Sequence, residues 1–434
     1  MALILLRVLT MWTIRLPRGF RETPLRPSLE DTDPLGDAWR SLKSRFMSAR
    51  WTVRRWSVKH FWRRMRLPVR RKRWAAELLR TAEPYGKSPN AKSTTGPAVV
   101  FGEFSGVHGL GRAAAYDVTM LKERHSSLRL VDIRPYLDVE EPTRLDIPAV
   151  ENVYFFCQPD TFATVLKLLD PSVVANAYRI GRWVWETPLL PKEWAFGQDI
   201  VHEVWAPSAF CAEVFAAALD VPVKTIEHAV VPPPDQCIDM RRRLSIPSAA
   251  FVGLSVMDIK SCPARKNPWA HIRAWRDAFQ GSRDAILVMK VRVGKRTRIV
   301  LDELKELIGD DRNIMLLTDD LDNDDIAALF RAADVFLSLH RSEGFGLNIL
   351  EALLLGKDVL ATNWSANAEY GPRFPNYYGL KYKLVPYEDW TAHYQDKDFD
   401  WADPDHGAAV DALKKRFKDR KRAIVSPILV DACD

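Results

Sequence analysis

The sequence predicts an α/β fold of two doubly wound domains facing one another across a cleft. Three observations predict it. Short runs rich in Val, Ile, Leu and Phe alternate with helical stretches from Ala98 to Thr362, which is the pattern of βαβ units on a parallel sheet. The alternation stops at Pro232-Pro-Pro234 and Arg241-Arg-Arg243 and then restarts, marking a domain boundary near residues 230–248. A chain of 434 residues with 47% hydrophobic content suits two cores better than one.

Ahead of the alternation lies a segment of different composition. Residues 1–75 carry 19 Lys and Arg against 5 Asp and Glu, a local +14 in a chain of net +7, which leaves −7 for the rest. From Arg40 to Arg73 there are 14 basic residues and no acidic one, interleaved with Phe46, Trp51, Trp56, Phe61 and Trp62, with Trp74 just beyond. Cations and rings together suit an anionic membrane surface, where charges meet head groups and rings sit at the interface. Nucleic acid would select a similar composition, and a solvated tail that binds nothing is the plain alternative. The expectation adopted is an anionic membrane surface met by residues 40–74, without specific nucleic acid. Residues 84–97 read as a linker, so residues 1–95 form a basic, aromatic extension.

No run of eighteen apolar residues occurs, so no membrane span is expected. Arg7 interrupts the apolar start Ala2–Leu6, which reads as neither signal peptide nor span. The cysteines, Cys157, Cys211, Cys237, Cys262 and Cys433, are scattered without metal-ligand spacing. They fit free thiols in a reducing compartment. The chain is expected in the cytoplasm, peripheral on the inner face of the membrane, with no metal.

The first domain, residues 96–240, opens on the strand Ala98–Phe104, the glycine turn Ser105-Gly-Val-His-Gly-Leu-Gly111 and a helix from Arg112 to Lys122. Such a turn lets a phosphate approach N–H groups at a helix start, and it is also what any tight turn requires. Further strands are expected at Leu128–Ile133, Asn152–Cys157, Val173–Tyr178, Val201–Trp205 and Val223–His228. A helix is expected at Ser208–Ala218, with Ser208 as its cap. Arg182-Trp-Val-Trp-Glu186 offers two rings beside a carboxylate. Trp183 and Trp185 serve equally as interdomain packing or as an aromatic platform for a sugar or polyol acceptor.

The second domain, residues 241–405, is expected to run through a strand at Phe251–Val256, a helix at Asn267–Phe279, a strand at Ile286–Val291 and a helix at Arg298–Ile308. A strand at Asn313–Leu317 and a helix at Asp322–Arg331 follow. Then comes the unit Asp334-Val-Phe-Leu-Ser338, Glu343-Gly-Phe-Gly346, the helix Leu347–Leu355 and the strand Asp358–Thr362. Residues 406–434 are expected to form a basic helix and tail that pack across the domains.

A nucleotide diphosphate needs cations and backbone donors for its phosphates and an acceptor for its ribose hydroxyls. Arg265 and Lys266 stand before the helix at Asn267, where its positive end adds to theirs. Glu351 lies about one turn into its helix, where a carboxylate can accept from a ribose diol, and Glu343 at the strand end lies nearer the sugar. Gly344 and Gly346 permit close approach of the backbone. There is no His-Glu-x-x-His, no Gly-x-Ser-x-Gly, no phosphate-loop Lys-Ser/Thr and no paired cysteine set. Asp319–Asp325 lacks the glycine and final glutamate of a calcium loop and reads as a helix cap.

Ser342-Glu-Gly-Phe-Gly-Leu-Asn-Ile-Leu-Glu-Ala352 resembles the Glu-(seven residues)-Glu motif of retaining glycosyltransferases of family 4, which adopt the GT-B fold. Arg265-Lys-Asn-Pro268 and Leu287-Val-Met-Lys290 resemble that family's phosphate-binding region, and Gly106–Gly111 resembles its first-domain glycine loop. Trp183–Glu186, Glu203–Ser208 and Asn363–Asn367 resemble a bacterial branch found in polysaccharide assembly. The resemblance covers about residues 98–422. It implies transfer of a sugar from a nucleotide-diphosphate sugar to a hydroxyl of a glycan or lipid-linked acceptor, without cofactor or metal. By it, Glu351 binds ribose and Glu343 contacts the donor sugar as a catalytic residue. Arg265, Lys266 and Lys290 meet the diphosphate, with Gly109, Gly111, Gly344, Phe345 and Gly346 around the donor. A first-domain histidine is also implied, but none lies in Val174–Gly181. Glu186 is therefore the candidate there, with Tyr178 nearby, and His108 is a separate candidate. A sugar-nucleotide epimerase and a silent nucleotide- or sugar-binding protein are the alternatives.

Overall fold

The computed structural model describes residues 95–106, 109–137, 139, 142–174, 176–232, 237–389, 394 and 398–425. The basic stretch 40–74 and His108 lie outside the described residues.

Strands β1 (Ala98–Gly102), β2 (Leu128–Asp132), β3 (Asn152–Phe156), β4 (Tyr178–Arg182), β5 (Glu203–Ala206) and β6 (Val223–Thr225) form one sheet. All its pairs are parallel, in the order 2-1-3-4-5-6. Strands β7 (Phe251–Asp258), β8 (Ala285–Arg292), β9 (Ile314–Leu317), β10 (Val335–Ser338), β11 (Asp358–Thr362) and β12 (Tyr377–Leu380) form a second parallel sheet in the order 12-11-10-7-8-9. Helices alternate with the strands in both halves, so the expected pair of Rossmann-like α/β domains is what the chain forms.

Central strands of parallel sheets are covered on both faces and so read as unbroken apolar runs. β1 and β3 are buried at every position. Along β1, Val99 and Phe101 join one core with Phe155 and Trp183, while Ala98 and Val100 join the opposite core with Tyr154 and Trp205, as the two-residue repeat requires. Each domain also lays a tryptophan over a strand glycine. A side-chain carbon on Gly181 would come 2.6 Å from the Trp183 indole, and one on Gly253 would come 2.3 Å from that of Trp275. Glycine is needed in both places for lack of room.

Two expectations are corrected. The strand expected at Val173–Tyr178 begins only at Tyr178. Pro171–Val174 is a helical turn, because Pro171 suits a first helical position and Asp170 accepts from the Ser172 N–H at 2.9 Å. The expected strand Val223–His228 stops at Thr225, which leaves His228 on the connection between domains. The carboxyl-terminal helix runs from His406 to Val425. Its Ala409, Val410 and Leu413 enter the core of the second, and its Arg416 lies over Tyr378 at 4.2 Å. The caps read from sequence form as expected: Ser208 accepts from the Cys211 N–H at 3.1 Å and Asp322 from the Asp325 N–H at 2.8 Å. Among the described residues no helix is long and apolar enough to cross a membrane.

Candidate active site

In an open parallel sheet, a crevice forms where successive connections leave in opposite directions. In the second sheet the chain runs outward from β7 to β9, then returns to the other side of β7 as β10. The loops after β7 and β10 therefore diverge at one point. Arg265 and Lys266 follow β7, and Glu343–Gly346 follows β10, so topology alone gathers these six candidates from two loops 77 residues apart. A cavity of about 390 Å³ opens there, lined from the second domain by Lys290, Arg265, Lys266, Glu343 and Gly344–Gly346, and from the first by Gly109, Arg112, Glu186 and His228. That volume accommodates a small organic ligand.

Arg265 and Lys266 sit on a single helical turn, Pro263–Lys266. Asn267 ends it in the left-handed conformation, φ 52°, and its amide donates to the Leu339 carbonyl at 3.1 Å. The Arg341 N–H donates to the Arg265 carbonyl at 2.8 Å, which fastens the two loops together. The buried Arg265 guanidinium donates to the Ser342 carbonyl at 3.0 Å, reaches Glu343 at 3.1 Å and donates to Glu186 of the first domain at 3.2 Å. Lys266 pairs with the other Glu343 oxygen. Burial alone would raise the Glu343 pKa. Lys266 and Arg265 outweigh it and hold the carboxyl down at about 2, so Glu343 is a fixed anion between two cations. Lys290 is buried on β8 in the cavity wall, and burial lowers its pKa.

The glycines divide by role. Gly346 has φ 83° and starts the helix Leu347–Leu354. Gly344 is required by the first domain, since a side-chain carbon there would lie 2.6 Å from Val184 and 2.8 Å from the Trp185 carbonyl. Its own carbonyl accepts from Ser208 Oγ at 2.8 Å. Gly109 lines the cavity with open space around it. Gly111 instead presses on the loop, where a side-chain carbon would meet the Gly106 carbonyl at 2.2 Å. Phe345 lines the cavity and packs edge-on against His228, with centroids 4.7 Å apart.

Three candidates stand elsewhere than expected. Trp183 is fully buried between Phe162 and Phe215 in the first-domain core and offers no platform. Trp185 packs edge-on against Trp194 and Tyr394 and donates to the Leu189 carbonyl at 2.6 Å, outside the cavity lining. Glu351 is buried and is also absent from that lining. Its carboxylate is held by the first domain, through an ion pair from Arg112 and a hydrogen bond from Tyr116 at 2.9 Å.

Sequence reading missed three features. Arg112 and Tyr116, on the helix Gly109–Lys122, carried no signal beyond helical spacing. His228, buried at the cavity wall, is held through Nδ1 by Asp117 at 2.7 Å, and Arg182 donates to the same carboxylate at 2.7 Å. Burial and Arg182 lower the His228 pKa against the pull of Asp117, so the ring is neutral at pH 7. His340, which burial pushes down to about 4, lines the cavity two residues past β10.

No curated protein matches the chain. Among solved structures it is similar to a glycosyltransferase from Rickettsia africae, with 16% identity over 76% of this chain and 89% of that one, TM-score 0.49. It is also similar to Anabaena HepE in complex with UDP and glucose, with 14% identity over 63% and 82%, TM-score 0.46. A third is the pneumococcal O-GlcNAc transferase GtfA with UDP and GlcNAc, with 13% identity over 62% and 50%, TM-score 0.41. Residues 264–386, the segment that carries Arg265, Lys266, Lys290, Glu343 and Glu351, match the family of glycosyl transferases group 1.

Proposed function

We propose that the chain transfers a sugar from a nucleotide-diphosphate sugar to a hydroxyl acceptor, with retention at the anomeric carbon. The observation that carries this reading is the convergence of Arg265 and Lys266 on Glu343. It lies at the crevice of the second sheet, within the segment matched by the glycosyl transferases group 1 family. A departing diphosphate develops negative charge, and two cations fixed in place before the reaction stabilise it without reorganisation. In this reading they do what a divalent cation does elsewhere, so the reaction requires no metal.

The sugar lies against Glu343, whose carboxylate stays ionised and stabilises positive charge at the anomeric carbon. The bond from that carbon to the diphosphate breaks with its electron pair leaving on phosphate. The acceptor oxygen bonds the same face, and its proton passes to the departing diphosphate. Glu186, facing the cavity from the first domain, borders the acceptor, a glycan or lipid-linked alcohol of polysaccharide assembly. Contact of both domains around the cavity excludes water and limits hydrolysis.

Incubation with α-linked UDP-, GDP- and ADP-sugars and simple sugar alcohols, followed by proton NMR of the anomeric signal, tests the reading. An α-linked product is expected. A β-linked product contradicts retention, an epimerised donor favours the epimerase, and no donor consumption contradicts the enzyme.

The basic stretch 40–74 adds a second expectation, that the chain rests on an anionic membrane surface at the cytoplasmic face. Roughly 1 kcal/mol per basic residue near such a surface makes the stretch sufficient for recruitment. Deleting residues 1–75 is expected to abolish sedimentation with phosphatidylserine vesicles and to leave neutral vesicles unbound in both forms. Unchanged sedimentation rules the idea out.

A further inference from the structure

Glu351 and Arg112 belong to different domains, and in this structure each occupies the other. Arg112 lines the cavity, its side chain is 19% exposed, and it pairs with Glu351 Oε1 while donating to Asn348 Oδ1 at 3.1 Å. Tyr116, one turn further along the same helix, donates to that same Oε1 at 2.9 Å. A ribose diol presents two hydroxyls and needs both oxygens of a carboxylate. Glu351 cannot serve it while Oε1 is taken twice. When the diol arrives, the guanidinium must leave, and a guanidinium released into a half-buried cleft needs another anion.

The anion that enters with the ribose is the diphosphate. Arg112 borders the same cavity as Arg265, Lys266 and Lys290, and a planar guanidinium fork fits two phosphate oxygens as well as it fits a carboxylate. We propose that Arg112 is a donor-binding residue that exchanges Glu351 for the donor diphosphate as ribose takes its place on Glu351. The exchange rests on the nucleotide-sugar reading above and deepens it. It makes the first domain a sensor of the nucleotide: the helix Gly109–Lys122 leaves a carboxylate on the second domain and closes again onto phosphate. Burial would lower the Arg112 pKa, but Glu351 raises it above the usual arginine value, so the cation is present throughout.

Calorimetry or saturation-transfer NMR with matched probes tests the exchange, using uridine with UDP, guanosine with GDP and adenosine with ADP on the full chain. Arg112→Ala is expected to weaken the nucleoside diphosphate by roughly tenfold, the worth of one charge-assisted contact. The free nucleoside should bind as well as or better than to wild type, because Glu351 is then unencumbered. Tyr116→Phe, which removes only the competing hydrogen bond, is expected to tighten both probes by roughly two- to fivefold. Equal weakening of both probes by Arg112→Ala makes Arg112 merely structural and overturns the proposal. Tightening of both by Arg112→Ala makes it a latch with no phosphate contact and overturns it too, as does an unaltered Tyr116→Phe. If wild type binds none of the diphosphates, the nucleotide-sugar reading itself falls.

Discussion

The double substitution Arg265→Ala with Lys266→Ala is expected to bring sugar transfer down to background. Removing one preorganised donor to a developing anion costs about 10²–10³ in turnover, and here both cations of the wall go together. Lys266→Ala alone, which leaves Arg265 in place, is expected to lose about a hundredfold by the same measure. The double change also strands Glu343, whose pKa is held at about 2 against burial chiefly by Lys266 and Arg265, with a smaller pull from His340. Without them burial outweighs the remaining pull of His340 and the pKa climbs.

The sign of the stability effect follows. A carboxyl depressed in the folded state contributes stability above its ordinary pKa and loses it as pH falls through the folded value. Wild type should keep this contribution at neutral pH and shed it between about pH 4.5 and 2, whereas the double variant should lack it at neutral pH. Because a stranded buried charge costs about 3–5 kcal/mol, urea unfolding of each variant accompanies the turnover assay. A folded double variant that still transfers sugar at more than a few per cent of the wild-type rate contradicts the site.

Trp183→Ala is expected to destabilise the first domain by about 3–5 kcal/mol, the usual cost of emptying a buried aromatic site. The indole is fully buried, sits 5.8 Å from the Phe162 ring and 6.0 Å from that of Phe215, and rests on Gly181 and Gly197. Those neighbours belong to several elements and cannot close the void together. Its indole nitrogen has no hydrogen-bond partner, so the packed ring face supplies the stabilisation. Equilibrium urea denaturation measures the loss. A loss under about 1 kcal/mol, below any large-to-small core change of this kind, together with a raised acceptor KM, would return Trp183 to the acceptor side.

The fold was legible because its signals are local. Alternating strands and helices, the caps Ser208 and Asp322, and the glycine turn at Glu343–Gly346 each depend on neighbours within a few residues. Arg265 and Lys266 could be grouped with Glu343 because all three follow strands of one parallel-sheet domain, whose loops share one edge, and the sheet order then brings the two loops to one crevice. The partners of Glu351 were not legible. Arg112 and Tyr116 lie about 235 residues away in sequence, and helical spacing does not say which domain a side chain touches. His228 was missed for the same reason, since its anchor Asp117 is 111 residues distant. Trp183 was ambiguous on physical grounds, because a tryptophan at the end of a strand packs inward or outward according to one residue of register. The true strand, Tyr178–Arg182, begins where the expected one ended.

The central claim is that this cleft holds a nucleotide diphosphate with its phosphates at Arg265 and Lys266 and its ribose on Glu351. The direct measurement is calorimetric affinity for a ribonucleoside diphosphate and its 2′-deoxy counterpart, on wild type and on Glu351→Ala. Wild type is expected to prefer the ribo form by roughly ten- to a hundredfold, the worth of hydrogen bonds to a charged acceptor, and Glu351→Ala to bind both forms alike. A wild type that binds neither, or a Glu351→Ala variant that keeps the full preference, contradicts the account.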